Sequence, residues 1–252
     1  MIFEQLSNNS LNMSSFTDYF MANRNINNAH DVRCEIHSCP ELIDFIQQVG
    51  FLPLLESGIQ GYCAESLMAE ECRFVQFDDG SWEWPLWQWK GDVIRESGCV
   101  YGKFFAGKAG FVSRDWWPDL CNWRRNQTPK PEEGSIEDAI LATLGLNGSM
   151  ISRDLRDACG LTGPKMRGKF DNYVNKLQMA CYIVTEDFVY SRDKNGREYG
   201  FGLSLLTTPE QLIGRNACRC SRTPEESYQR MFKHLQHLLP EATEKQIKKM
   251  LK

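Results

Sequence analysis

The chain has 252 residues, 42% of them hydrophobic, and a formal net charge of −4. That is enough to bury a sizeable core in one large or two small domains, and no apolar run is long enough to span a membrane. The acidic total argues against a nucleic-acid partner, but its distribution does not: residues 1–90 carry four basic and thirteen acidic side chains (−9), and residues 91–252 carry twenty-five and twenty (+5). A protein can meet phosphate with one half only.

Residues 1–30 are polar and rich in Asn and Ser, which predicts a weakly structured arm with room for a short helix from Phe16 to Met21. They lack the basic and apolar regions of a secretion signal, so a cytoplasmic location is expected. The ten cysteines, at 34, 39, 63, 72, 99, 121, 159, 181, 218 and 220, are then read as reduced and mostly buried thiols.

Residues 31–128 read as an α+β domain rich in tryptophan. Cys39-Pro40 leads into an amphipathic helix from Glu41 to Val49, stopped by Gly50. Phe51 to Leu55 follows as a buried connector, and residues 62–71 are ambiguous. Trp82, Trp84, Trp87 and Trp89 alternate with polar residues on either side of Pro85. That spacing predicts extended structure, serving either as a core strand pair or as a platform on which bases stack. Residues 92–97 predict a helix or strand ended by Gly98. Tyr101 to Ser113 mixes aromatics and glycines with Lys103 and Lys108, which predicts a hairpin with a Gly-rich turn. It has no Walker spacing; the basic and aromatic interleaving suits a nucleic-acid-facing surface or a structural hairpin. A helix opening at Ser113 leads to Arg124 and Arg125, and Asn126 to Gly134 is a linker.

Residues 134–208 read as helix, turn, helix, helix and hairpin, the order of a winged helix. Ser135 caps the first helix and Asn147-Gly148 stops it. Ser149 to Ala158 predicts the second helix, closed by Gly160. Gly163-Pro164 opens the third, with Met166, Phe170, Tyr173, Val174 and Leu177 on one face and Lys165, Arg167, Lys169, Asn172 and Lys176 mostly elsewhere. Tyr182 to Tyr190 is β-rich, and Tyr199 to Leu206 returns after Asn195-Gly196, a type I′ hairpin signal. Arg192, Lys194 and Arg197 would line this wing and touch phosphate. Residues 209–252 predict helices packed on the core, starting near Pro209, Pro224 and Thr243.

Cys34, His37, Cys39, Cys218 and Cys220 could be assembled on paper into a zinc set, but Cys-x-Cys is tighter than common fingers, and free thiols with no metal are expected. His234 and His237 read as packing or surface residues. No nucleophile elbow, dinucleotide fingerprint or triad order occurs.

The segments Trp87-Gln-Trp-Lys90-Gly-Asp, Tyr101-Gly-Lys-Phe-Phe105, Gly110-Phe-Val-Ser113, Trp117-Pro-Asp, Arg124-Arg125, Thr208-Pro209-Glu210 and His237-Leu-Leu-Pro240, with the 134–208 unit, resemble the bacterial AlkZ-related proteins, relatives of the AlkZ winged-helix DNA glycosylases. The resemblance covers roughly residues 40–252. It implies an α+β, predominantly helical fold of tandem winged-helix-like units with short β-hairpins, and double-stranded DNA as partner. It also implies excision of alkylated or crosslinked purines by metal-independent hydrolysis of the N-glycosidic bond, without a cofactor. The AlkZ catalytic signature is Gln, an apolar residue, then Gln or Asp. Gln76-Phe77-Asp78 is the match here, in a loop rather than at the expected N-terminal position; its carboxylate could deprotonate a water that the amide helps to hold. The alternative is a non-catalytic DNA-binding regulator or accessory protein. The expected DNA-binding set is Lys165, Arg167, Lys169, Asn172, Lys176, Arg192, Lys194, Arg197, Lys103, Lys108, Arg124 and Arg125.

Overall fold

Antiparallel pairing joins strands from distant parts of the chain into one six-stranded sheet. The computed structural model describes residues 35–252, apart from Asp79, Ser81, Pro164 and Arg197 and the side chains of Val75, Glu198 and Tyr199. The expected N-terminal arm, its short helix and Cys34 lie outside the described residues.

Helix α1 (Cys39–Val49) is capped by the Ser38 hydroxyl, has Pro40 in its first turn, and buries Leu42, Phe45, Ile46 and Val49. Gly50 ends it at φ 79°, and a Cβ there would meet the Trp116 ring at 2.4 Å, so glycine is required twice over. The expected connector after it is strand β1 (Phe51–Pro53), which pairs antiparallel with residues Gly110 to Val112. Helix α2 (Ala64–Leu67) and a 3-10 turn (Glu70–Cys72) lead to β2 (Val75–Gln76) and β3 (Trp82–Glu83), a separate two-stranded hairpin.

The tryptophan run is not extended. Pro85 starts helix α3 (Pro85–Ser97), where its missing N–H costs nothing, so Trp87 and Trp89 lie on a helix and only Trp82 lies on a strand. Strands β4 (Val100–Phe105) and β5 (Lys108–Val112) form the expected hairpin. Its turn residues Ala106 and Gly107 both have positive φ, 52° and 79°, as a type I′ turn demands. Helix α4 (Trp117–Gln127) follows, with Pro118 in its first turn.

Helix α5 (Ile136–Asn147) is capped by Ser135. Met150–Ile151 forms β6, pairing with the last strand, so helix α6 (Ser152–Ala158) starts three residues later than the sequence suggests. Helix α7 (Met166–Met179) and strands β7 (Val184–Arg192) and β8 (Glu198–Thr207) complete this part. Helix α8 (Pro209–Leu212) is capped by Thr208. Helices α9 (Pro224–Leu238) and α10 (Glu244–Leu251) have capping boxes at Thr223 and Thr243.

The sheet order is β1-β5-β4-β7-β8-β6, and β4 meets β7 through the single pair Tyr101↔Thr185. The fold is α+β, with more helix than strand. Ile140 and Leu144 of α5, Leu155 of α6, Phe170, Val174 and Leu177 of α7, and Ile183 and Leu206 make one buried cluster. Each such side chain contributes roughly 1.5–3 kcal/mol of transfer free energy. That burial fixes which face of α7 looks outward.

Candidate functional site

The buried positions of α7 are Phe170, Val174, Leu177 and Gln178. At 100° per residue, Lys165, Lys169, Asn172 and Lys176 fall together on the opposite side, and all four are exposed. Arg167 is also exposed but lies about half a turn away. Among the described residues, no carboxylate forms an ion pair with Lys165, Arg167 or Lys169. The helix therefore carries a cationic stripe on rigid backbone.

At the tip of the β7–β8 hairpin, Arg192 and Lys194 are exposed; Arg197 lies outside the described residues. The turn is not the expected two-residue type I′. Among described non-glycine residues only Ala106 and Cys181 have positive φ, so Asn195 is not left-handed. The pair Arg192↔Glu198 leaves a five-residue loop. In it the Asp193 carboxylate accepts from Asn195 N at 2.8 Å and its carbonyl accepts from Gly196 N at 3.0 Å. Asp193 captures the chain one residue before the Asn-Gly signal.

The remaining expected DNA contacts divide. Lys103 on β4 is exposed. Lys108 is exposed too, but its ammonium donates to the Glu56 carbonyl. Arg124 cannot reach DNA: it is 3% exposed, and its guanidinium donates to the carbonyls of Phe104, Met179 and Met250. Arg125 is held by the Glu210 carboxylate at 2.6 Å, the Cys181 carbonyl at 2.7 Å and the Tyr182 ring. Both are structural cations. Gln76 sits on β2 opposite Trp82, and Asp78 in the following turn; both are exposed, and among the described residues no hydrogen bond orients either side chain.

A cavity of about 290 Å³ opens between α7 and strands β4, β7 and β8, lined by Trp87, Tyr101, Phe170, Phe188, Phe201, Gln178, Thr185, Ser204, Asp171 and Lys103 among others. Beside it, the buried Lys90 ammonium lies 3.8 Å from the Trp87 ring centroid and 3.9 Å from that of Phe188. It donates to the Trp87 carbonyl and the Tyr190 hydroxyl, both at 2.9 Å. Rings and acceptors favour the charged form, but burial outweighs them and the pull of Asp187, lowering the pKa to about 7.

The strand at the cavity entrance is irregular. Val189 pairs with Leu203 and Ser191 with Tyr199, so Gly200, Phe201 and Gly202 oppose the single residue Tyr190. Gly200 and Gly202 have φ of 82° and 70°. A Cβ on Gly202 would approach the Tyr190 ring to 3.0 Å. Between these glycines Phe201 is thrown outward, 60% exposed, beside Trp82 and Trp87. Phe74 stacks on Trp82 at 5.3 Å. This patch was only half visible in the sequence. Trp82 belongs to the segment considered as a stacking platform, whereas Phe201 reads as one residue of a regular strand unless the flanking glycines are taken as a bulge signal.

Cys39, Cys63, Cys72, Cys99, Cys121, Cys159, Cys181, Cys218 and Cys220 are free thiols. Among the described residues no three His, Cys, Asp or Glu side chains gather into a metal-holding group, and no described helix is long and apolar enough to cross a membrane.

Searches of the curated proteins and of the solved structures match nothing. A sequence model described as AlkZ related matches residues 36–252. With that match covering most of the chain and the described elements all inside it, the protein belongs to the AlkZ-related family.

Proposed function

We propose that the protein binds double-stranded DNA, with residues 134–208 acting as a winged helix within a tandem winged-helix architecture. In this reading α7 lies against a groove and the β7–β8 tip, with Arg192, Lys194 and Arg197, touches the phosphate backbone. The observation that carries it is the stripe of Lys165, Lys169, Asn172 and Lys176 on a helix whose opposite face is locked into the core. A cationic row on rigid backbone supplies the sequence-independent part of DNA affinity, and a polar amide within it can reach a base edge. Membership of the AlkZ-related family supports the same partner.

Binding is the function we assign ahead of base excision. Gln76 and Asp78 stand exposed in a minimal hairpin, and among the described residues no hydrogen bond holds either side chain where it could position a water. Excision remains directly testable. Incubation with DNA carrying N7-alkylated guanine gives abasic product, abolished in a Gln76/Asp78 double variant, if the protein is a glycosylase. Binding without product is the outcome expected here.

The binding reading is tested by fluorescence anisotropy on a short duplex across a salt series. Affinity should fall steeply with salt, and the Lys165→Ala/Lys169→Ala/Lys176→Ala variant should bind at least tenfold more weakly with a shallower salt slope. Unchanged affinity in that variant would remove α7 from the interface.

A further inference from the structure

We propose that Cys121 and Cys181 form a peroxide-reactive dithiol, which hydrogen peroxide oxidises to a disulfide tying α4 to the end of α7. The site stands independently of the DNA-binding reading.

The two sulfurs meet in the interior. Cys121, on α4, and Cys181, just past α7, are 1% and 0% exposed. The Cys121 thiol donates to the Cys181 sulfur. Two cations are buried with them. The terminal nitrogens of Arg124 serve the carbonyls of Phe104, Met179 and Met250, but its Nε–H, like that of Arg125, is buried with no oxygen to accept it. Both guanidiniums lie close enough to the Cys181 sulfur to favour its anion. Burial raises the pKa of both thiols; at Cys181 the hydrogen bond from Cys121 and the two arginines outweigh it, so Cys181 is lowered while Cys121 stands well above the ordinary range. One sulfur is thereby prepared as a nucleophile and the other is held protonated against it. Cys63 and Cys99 are equally buried, have no described cation beside them, and are raised.

The backbone singles out the same residue. Tyr182 N donates to the Leu177 carbonyl at 2.8 Å and Cys181 N to that of Gln178 at 2.9 Å, the Schellman bonds that close a helix on a left-handed residue. That residue is Cys181, with φ 63°. Helix α6 closes with the same two bonds, Leu161 N to Arg156 and Gly160 N to Asp157, and there the position is a glycine with φ 68°. A cysteine where glycine fits without strain is a cost of the kind retained at reactive sites. An open depression of about 350 Å³, lined by Arg125, Tyr182 and Glu210 among others, reaches the arginine that holds the Cys181 carbonyl and offers a small peroxide its approach.

The Cys181 thiolate attacks one peroxide oxygen and the O–O bond breaks. The leaving hydroxide takes up the proton that Cys181 released, giving water and a Cys181 sulfenic acid. The Cys121 sulfur then attacks the sulfenic sulfur. The S–S bond forms, the S–O bond breaks, and hydroxide leaves with the Cys121 proton as a second water.

To test this, the whole reduced protein is exposed to hydrogen peroxide, remaining thiols are alkylated at intervals, and the peptides are read by mass spectrometry. A Cys121–Cys181 disulfide should form and be reversed by dithiothreitol, while Cys63 and Cys99 lose their thiols at least about tenfold more slowly. Cys121→Ala should stop at a Cys181 sulfenic acid that dimedone traps. Cys181→Gly should abolish the fast oxidation and raise the thermal midpoint. Equal rates at Cys181, Cys63 and Cys99 overturn the proposal, as does a disulfide from Cys121 to its half-buried neighbour Cys218. A lower midpoint for Cys181→Gly overturns it too, since the side chain is then kept for its packing.

Discussion

Helices α4 and α7 look alike as strings of charge and are used in opposite ways. Helix α4 ends in Arg124 and Arg125, flanked by Trp123 and Asn126; α7 carries Arg167, Lys169 and Lys176. In α4 both guanidiniums turn inward and tie backbone carbonyls from three separate parts of the chain. In α7 the lysines stand in water. Arginine suits the first role because its planar fork serves several carbonyls at once and is weakly hydrated; lysine, a compact hydrated charge, suits the second. Positive charge in a sequence is therefore not the same quantity as positive potential on a surface.

Substitutions separate the two roles, in order of expected size. Arg124→Met should be the most damaging, leaving the carbonyls of Phe104, Met179 and Met250 without their donor. The expected loss is about 3–5 kcal/mol in urea unfolding, and Arg124→Lys should recover little of it. A denaturation midpoint equal to wild type would mean that Arg124 is dispensable and the contrast with α7 is false.

Arg125→Ala comes next, at about 1–3 kcal/mol, since its partners include the partly buried Glu210 and the Cys181 carbonyl. DNA affinity should be unchanged for this variant when measured on folded protein.

The three α7 lysines should invert the pattern. Their removal should shift unfolding by less than about 0.5 kcal/mol, while the slope of log affinity against log salt becomes shallower by about 0.9 for each phosphate no longer neutralised. A large stability loss from these changes would show that the stripe is structural after all.

Lys90 lies between the two cases, a buried lysine whose ammonium faces rings. Its folded pKa of about 7 is below its ordinary 10.5. Between those values the unfolded chain holds a proton that the folded chain has released, so its contribution makes stability rise with pH across that window. The slope is at most about 1.4 kcal/mol per unit. Lys90→Met should flatten that part of the profile. Urea midpoints measured from pH 7 to 10 decide it, and an unchanged slope in the variant would mean that Lys90 stays charged under its aromatic neighbours.

The parts of the fold that follow local rules were legible from the sequence. Ser135, Thr208, Thr223 and Thr243 cap helices as their side chains dictate, and the apolar spacing of Phe170, Val174 and Leu177 gave the buried face of α7. Errors arose where two local signals competed. Pro85 as a helix opener overrode the two-residue alternation of tryptophans, and Asp193 claimed the turn ahead of Asn195-Gly196. The cavity was not legible at all, because α7, β4, β7 and β8 supply its walls from segments separated in the chain. The fate of Arg124 was equally hidden, since its partners are main-chain carbonyls, which leave no mark in sequence.

Those carbonyls also constrain the order in which the protein can be built. They belong to residues 104, 179 and 250, and β4 acquires its β7 neighbour only at Thr185. During synthesis the segment up to α4 therefore emerges with an open sheet edge and an arginine one of whose partners, Met250, lies 126 residues further on. Closure of the Arg124 cluster is a late event tied to docking of α10. A product in which residues 244–252 are missing or undocked would carry its defect at the buried Arg124, far along the chain from the lost helix.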